Sequence, residues 1–289
     1  MKRKIIPVVL VVMMIALVVS LASSCHTERV RATKVITGTS LIGFVTKEIG
    51  GERVEVSNLV PPGQCPGHYD IKPSDVQMLA EGDLFLIHDW QQNLSNIKKL
   101  LNSAKNPNLE VKVIAVKGNW MAPPVQAEAV KKIAEALAEV DPENKSYYLE
   151  NASKIKVEIL AKGEELKKKL EAEKAGEVKV LVSQYQLGFV KWAGFNVVAS
   201  YPPRPEALTP KKIRELVDLG KKEGVALVVD NLQSGPKAGL QMAEEIGATH
   251  IILSNFPGGF EGTETWSKAV EENVNRLIEG IKEYQRKKS

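Results

Sequence analysis

The sequence predicts an α/β protein: two Rossmann-like lobes, each a parallel sheet flanked by helices, joined by one long rigid backbone helix. Three observations predict it. Short apolar runs alternate with helical patterns, and that alternation occurs twice, with no close sequence repeat between the halves. A single apolar stripe at helical spacing links them. The 289-residue length also exceeds the point where one hydrophobic core keeps growing, so two domains are expected.

The elements follow in chain order. Lys2, Arg3 and Lys4 precede an apolar run over 5–21, and Ala22, Ser23 and Ser24 lead into Cys25, the layout of an export signal. Residues 1–24 are read as a signal peptide, Cys25 as a lipidation site and residues 25–33 as a tether. An uncleaved anchor is the alternative, since about 17 apolar residues lie at the low end of what spans a bilayer. Both readings place the rest of the chain at the outer face of the cytoplasmic membrane.

In the first lobe, residues 34–140, strands are expected over 35–38, 54–59, 84–87 and 111–116, the third ending at His88. Helices are expected over 40–49 and 74–79, and turns over 61–67 and 118–124. Asp141, Pro142 and Glu143 read as a helix start: an N-cap acid, proline at the first helical position, then an acid near the positive end of the dipole. From there Tyr148, Ala152, Ile155, Ile159, Leu166 and Leu170 form the stripe of a linking helix over 141–176. At 1.5 Å per residue it is about 50 Å long. The second lobe, residues 177–289, repeats the pattern, with strands over 178–182, 196–198, 226–229 and 250–253 and helices over 210–222, 238–246 and 264–285.

Charge and cysteine content narrow the function classes. The headline excess of 39 bases over 35 acids comes mostly from Lys2, Arg3 and Lys4, so the mature domain is close to neutral. No basic stripe with interleaved aromatics is visible, which argues against nucleic acid as a partner. Cys65 is the only other cysteine, so a lipidated Cys25 leaves no intramolecular disulfide.

In open parallel sheets ligands bind beyond the carboxyl ends of the strands. The candidates are therefore Ser40, Cys65, His68, His88, Asp89 and Asn119 in the first lobe, and Gln184, Tyr201, Asp230, Asn231, Ser254 and Asn255 in the second. His68 and His88 with Cys65 offer the imidazole and thiolate donors that suit zinc. The plainer reading makes Cys65 a small buried hydrophobe and each histidine an ordinary hydrogen-bonding residue. His250, ahead of an apolar strand, reads as structural. Cys65 as nucleophile with His68 as base lacks an orienting third group, so no enzyme is expected. Residues 258–262 lack the spacing and lysine of a phosphate loop.

Two segments carry a resemblance. Val60, Pro61, Pro62 and Gly63 precede Tyr69, Asp70, Ile71, Lys72, Pro73, Ser74 and Asp75, and Asp141 to Asn144 precede Tyr147, Tyr148, Leu149, Glu150 and Asn151. Over roughly residues 34–282 the chain resembles the ZnuA/TroA-type substrate-binding proteins of zinc and manganese ABC transporters. The resemblance implies a divalent metal ion, zinc or manganese, as transported ligand in an interlobe cleft, and ABC permease subunits as partners. It also implies two lobes on one long helix, whose rigidity limits opening and closing to a modest movement.

The resemblance puts the family's metal ligands on Gly67, with His68 one place later, near Asn119, on Ser183 or Gln184, and on Ser254 or Asn255. The family's Glu becomes Asp230. Neutral amides are poor substitutes for charged or imidazole donors. Two site readings follow. A metal site can be rebuilt from His68, His88 and Cys65, with Asp89 or Asp230 supplying charge. Alternatively, Gln184, Asn231 and Asn255 with Tyr201 and Arg204 suit an uncharged or anionic organic solute, or a metal already chelated.

Overall fold

The computed structural model describes residues 31–289. The expected signal peptide, Cys25 and most of the tether lie outside the described residues. Strands β1 (Thr33–Thr37), β2 (Val54–Asn58), β3 (Leu84–His88) and β4 (Glu110–Ile114) form an all-parallel sheet in the order β2-β1-β3-β4. Strands β5 (Lys179–Ser183), β6 (Asn196–Tyr201), β7 (Leu227–Asn231) and β8 (Thr249–Leu253) form a second parallel sheet in the equivalent order β6-β5-β7-β8. In both, the winding reverses between the two central strands, and the crevice this leaves at their carboxyl ends is where open α/β sheets hold ligands.

The central strands are apolar runs because helices cover both faces. Every residue of β3 and of β7 is buried. The helices are α1 (Ser40–Gly50), α2 (Pro73–Ala80), α3 (Ser95–Ala104), α4 (Pro123–Val140), α5 (Lys145–Ala172), α6 (Leu187–Trp192), α7 (Pro210–Glu223), α8 (Leu240–Ile246) and α9 (Trp266–Lys288). One hydrophobic cluster runs from β1 and β3 through α1, α4, α5 and α9 to β5 and β7. Residues 33–289 therefore make one compact unit. No helix among the described residues is long and apolar enough to cross a membrane.

The long helix differs in detail from its expectation. The α-helix starts at Lys145, after a 3-10 turn over Pro142–Asn144, and its 28 residues end at Ala172. At 1.5 Å each it spans about 42 Å rather than 50. Asp141 does not cap the backbone. Its carboxylate accepts from the Tyr148 hydroxyl at 2.6 Å and from Asn144 Nδ2 at 2.7 Å. Tyr148, Ala152, Ile159, Leu166 and Leu170 are buried, and Ile155 packs against the same core. The seven-residue step between Ile159 and Leu166 is filled by Gly163, where an added Cβ would lie 2.7 Å from Pro123 at the start of α4. The missing side chain lets the two helices approach. Three helices, α3, α4 and α6, have no counterpart in the sequence reading.

Candidate binding cleft

The carboxyl ends of the two sheets face each other across a cleft of about 790 Å³. From the first lobe Cys65, Gly67, His88, Trp90, Asn119 and Trp120 line it; from the second, Gln184, Tyr185, Lys191, Arg204, Asn231 and Asn255. Trp90 follows β3 and is 46% exposed, and Tyr185 follows β5 and is 44% exposed, so each lobe keeps an aromatic side chain in contact with water. Lys191 and Arg204 are the charged residues of the lining, and no carboxylate is among it.

Two amides close the gap between the lobes. Asn119 Nδ2 donates to Asn255 Oδ1 and to the Tyr185 carbonyl, both at 2.8 Å. Asn119 Oδ1 accepts from the Met121 amide at 2.8 Å, which fixes the orientation of the side chain. Further bonds join the lobes. Ser40 Oγ donates to the Pro257 carbonyl at 2.8 Å, Gln233 Nε2 to the Pro62 carbonyl at 2.9 Å, and Trp266 Nε1 to the Trp120 carbonyl at 3.1 Å. Ser254 Oγ is held between Gln233 Nε2 and the Phe256 carbonyl and does not line the cleft.

His88 sits at the end of β3, almost wholly buried, with Nε2 2.9 Å from Thr39 Oγ1. Its ring stacks on Trp90 at 5.1 Å and meets the edge of Trp120 at 4.3 Å. Burial pushes its pKa down to about 3, so the imidazole is neutral at physiological pH. Cys65 is half-buried at the cleft wall.

His68 closes the 3-10 turn Pro66–His68 with its side chain exposed, outside the lining. Asp89 is exposed and accepts from the Trp90 amide at 2.8 Å. Asp230 is fully buried away from the cleft. Its carboxylate receives the Tyr201 hydroxyl and the Gly239 amide at 2.8 Å and lies 2.7 Å from His250 Nε2. Tyr201 belongs to that network and its phenol is pushed well above the ordinary range, by burial first and then by Asp230. The four metal candidates His68, Cys65, His88 and Asp230 are therefore not brought together. Among the described residues no three His, Cys, Asp or Glu side chains converge to hold an ion.

Other lining residues lie beyond the sequence candidates. Trp90, Tyr185 and Gln233 each follow a strand end by two residues, so a slightly longer reach past each strand would have found them. Lys191 comes from α6, a helix too short to show a periodic pattern.

The profile of the family described as zinc-uptake complex component A, periplasmic (ZnuA), matches residues 35–280. The chain belongs to the ZnuA family. Among curated relatives, the manganese-binding lipoprotein MntA of Halalkalibacterium halodurans is 23% identical, over 94% of this chain and 97% of that protein. The iron-binding protein YfeA of Yersinia pestis is 21% identical, over 91% of this chain and 90% of its own length. Among solved structures, a crystal structure of ZnuA superposes with a TM-score of 0.69 at 20% identity, covering 87% of this chain and all of that one. The manganese-bound periplasmic metal-binding protein of Candidatus Liberibacter asiaticus gives 0.72 at 17% identity, covering 86% and 99%. The two-lobed architecture is thus the ZnuA-family fold, as the sequence motifs implied. In this member of the ZnuA family the cleft is bridged by the Asn119–Asn255 clasp.

Proposed function

We propose that this protein is the extracytoplasmic solute-binding component of an ABC importer whose cargo is a divalent metal, zinc or manganese. The observation that carries the reading is the joint one of family and cleft. A ZnuA-family frame is complete from β1 to α9, and both sheets of that frame present their carboxyl ends to one interlobe cavity. Relatives named for zinc, manganese and iron support a metal as the imported element. The protein acts as a binder rather than an enzyme. His68, the base candidate for Cys65, is exposed and outside the cleft that Cys65 lines.

The partners are the membrane permease subunits and the ATPase of the transporter. The chain is held at the outer face of the cytoplasmic membrane through a lipid on Cys25 or an uncleaved anchor. The long α5 helix limits how far the lobes swing apart, and release at the permease requires the interlobe bonds of Asn119, Gln233 and Ser40 to part. Uptake of radiolabelled zinc and manganese tests the reading in cells producing the permease and ATPase with and without this chain. Uptake of one metal should fall several-fold without it. Equal uptake of both metals in the two strains contradicts the proposal.

A further inference from the structure

We infer that the cleft takes its metal not as a bare ion but as the complex of a planar, carboxylate-bearing organic chelator. The inference deepens the metal-import reading and rests on it. A bare zinc ion needs about four nitrogen, sulfur or oxygen donors converging within about 2.0–2.3 Å. Only Cys65 and His88 of the lining are donors of the His, Cys, Asp and Glu class. The His88 Nε2 is already engaged with Thr39, and its ring is flanked by two tryptophans. The charges facing the cavity are Lys191 and Arg204, which repel a divalent cation and attract an anion.

What the cleft lacks for an ion it has for an organic anion. Its 790 Å³ falls within the range of about 300–1,000 Å³ typical of small-molecule sites. Trp90 and Tyr185 offer water-exposed aromatic faces from opposite lobes, suited to a planar ring. Arg204 reaches toward the first lobe, where an added Cβ on Gly67 would lie 3.6 Å from its Nη2. Neither Arg204 nor Lys191 takes part in an ion pair among the described residues. A guanidinium fork without a carboxylate partner matches a ligand carboxylate bidentately, and the Lys191 ammonium supplies a second positive charge. Chelator oxygens and nitrogens satisfy the metal, so the protein needs none of its own donors.

Isothermal titration of the purified full-length chain tests this with five probes: zinc chloride, manganese chloride, metal-free dipicolinate (a planar pyridine dicarboxylate), and the dipicolinate complexes of each metal. The complexes should bind at micromolar affinity while the chlorides give no heat. Arg204→Gln should weaken the complex at least about tenfold, the worth of one charge-assisted hydrogen-bonded pair, with Arg204→Lys intermediate and melting temperatures unchanged. If the chlorides bind one-to-one more tightly than the complexes, the chelate inference is lost and metal import stands. If metal-free dipicolinate binds as tightly as its complexes, the cleft recognises an anion and the metal cargo falls. Silence from every probe, or equal binding by Arg204→Gln and the parent, overturns the inference.

Discussion

Asn119, ahead of α4, and Asn255, just after β8, hold each other across the two lobes at 2.8 Å. The contact thus joins one neutral donor and one neutral acceptor, in a cleft whose lining holds no carboxylate. The clasp closes the protein without placing a charge in the cleft. Replacing both residues tests this chemistry. Asn119→His with Asn255→Asp introduces an imidazole and a carboxylate into the cleft that Cys65 and His88 line, and calorimetry with zinc chloride should show binding that the parent lacks. An unchanged zinc titration would mean that the two positions do not face a common ion.

The contact between Gly163 and Pro123 makes a stability prediction. A Cβ at residue 163 would sit 2.7 Å from two carbons of the proline ring, which cannot rotate away. Overpacking costs about 1–3 kcal/mol, partly offset by about 1 kcal/mol of helix propensity. The net cost of up to about 2 kcal/mol should lower the Tm of Gly163→Ala by up to about 8 °C in scanning calorimetry. A rise in Tm would show that α4 and α5 have room to separate.

His88 makes the fold acid-sensitive. Its pKa is about 3 in the folded protein because burial excludes the charged form, against about 6.5 for an exposed histidine. The unfolded chain therefore binds the proton first. Stability is constant with respect to this group above pH 6.5 and is lost progressively as pH falls toward 3. His88→Gln, which keeps a polar group for Thr39 without the titration, should flatten Tm against pH over that window. Parallel curves for variant and parent would remove His88 as the source.

Glu48 works in the opposite sense. Desolvation, followed by repulsion from Glu158, raises its pKa to about 7. The folded state thus retains a proton that the unfolded state releases, and the stability this confers falls as pH rises from about 4.5 to 7. Glu48 is exposed along its edge, so solvent screens the effect. Glu48→Gln should raise Tm by about 1–2 °C at pH 8 and leave it unchanged at pH 4. An equal shift at both values would point to packing rather than charge.

The frame was readable because its signals are strong and local. The apolar runs of β3 and β7 leave no other assignment, and the stripe from Tyr148 to Leu170 fixes α5. Helix α4 was not readable. Its buried face is largely alanine (Ala127, Ala129, Ala134, Ala136 and Ala138), so its pattern is faint, and Pro123 with Pro124 suggests a loop although proline suits the first helical turn. At the site, the strand-end rule reached His88, Asn119, Gln184, Asn231 and Asn255 but could not tell one face from the other. Side chains alternate along a strand. Asn231 lines the cleft, while its neighbour Asp230 turns into the buried network of Tyr201, Gly239 and His250. Past the end of β8, Asn255 lines the cleft while Ser254 turns inward to Gln233 and the Phe256 carbonyl. Only the tertiary structure shows that each of these pairs sends its amide to the cleft and its partner to the interior.

The most direct measurement is diffraction from crystals grown with zinc dipicolinate, with anomalous scattering collected at the zinc edge. The account predicts a single zinc peak in the cleft, coordinated by dipicolinate and water and by no protein side chain, with ligand carboxylates on Arg204 and Lys191 and the ring between Trp90 and Tyr185. A zinc ion stripped of its chelator and bound directly by Cys65 and His88 would contradict it.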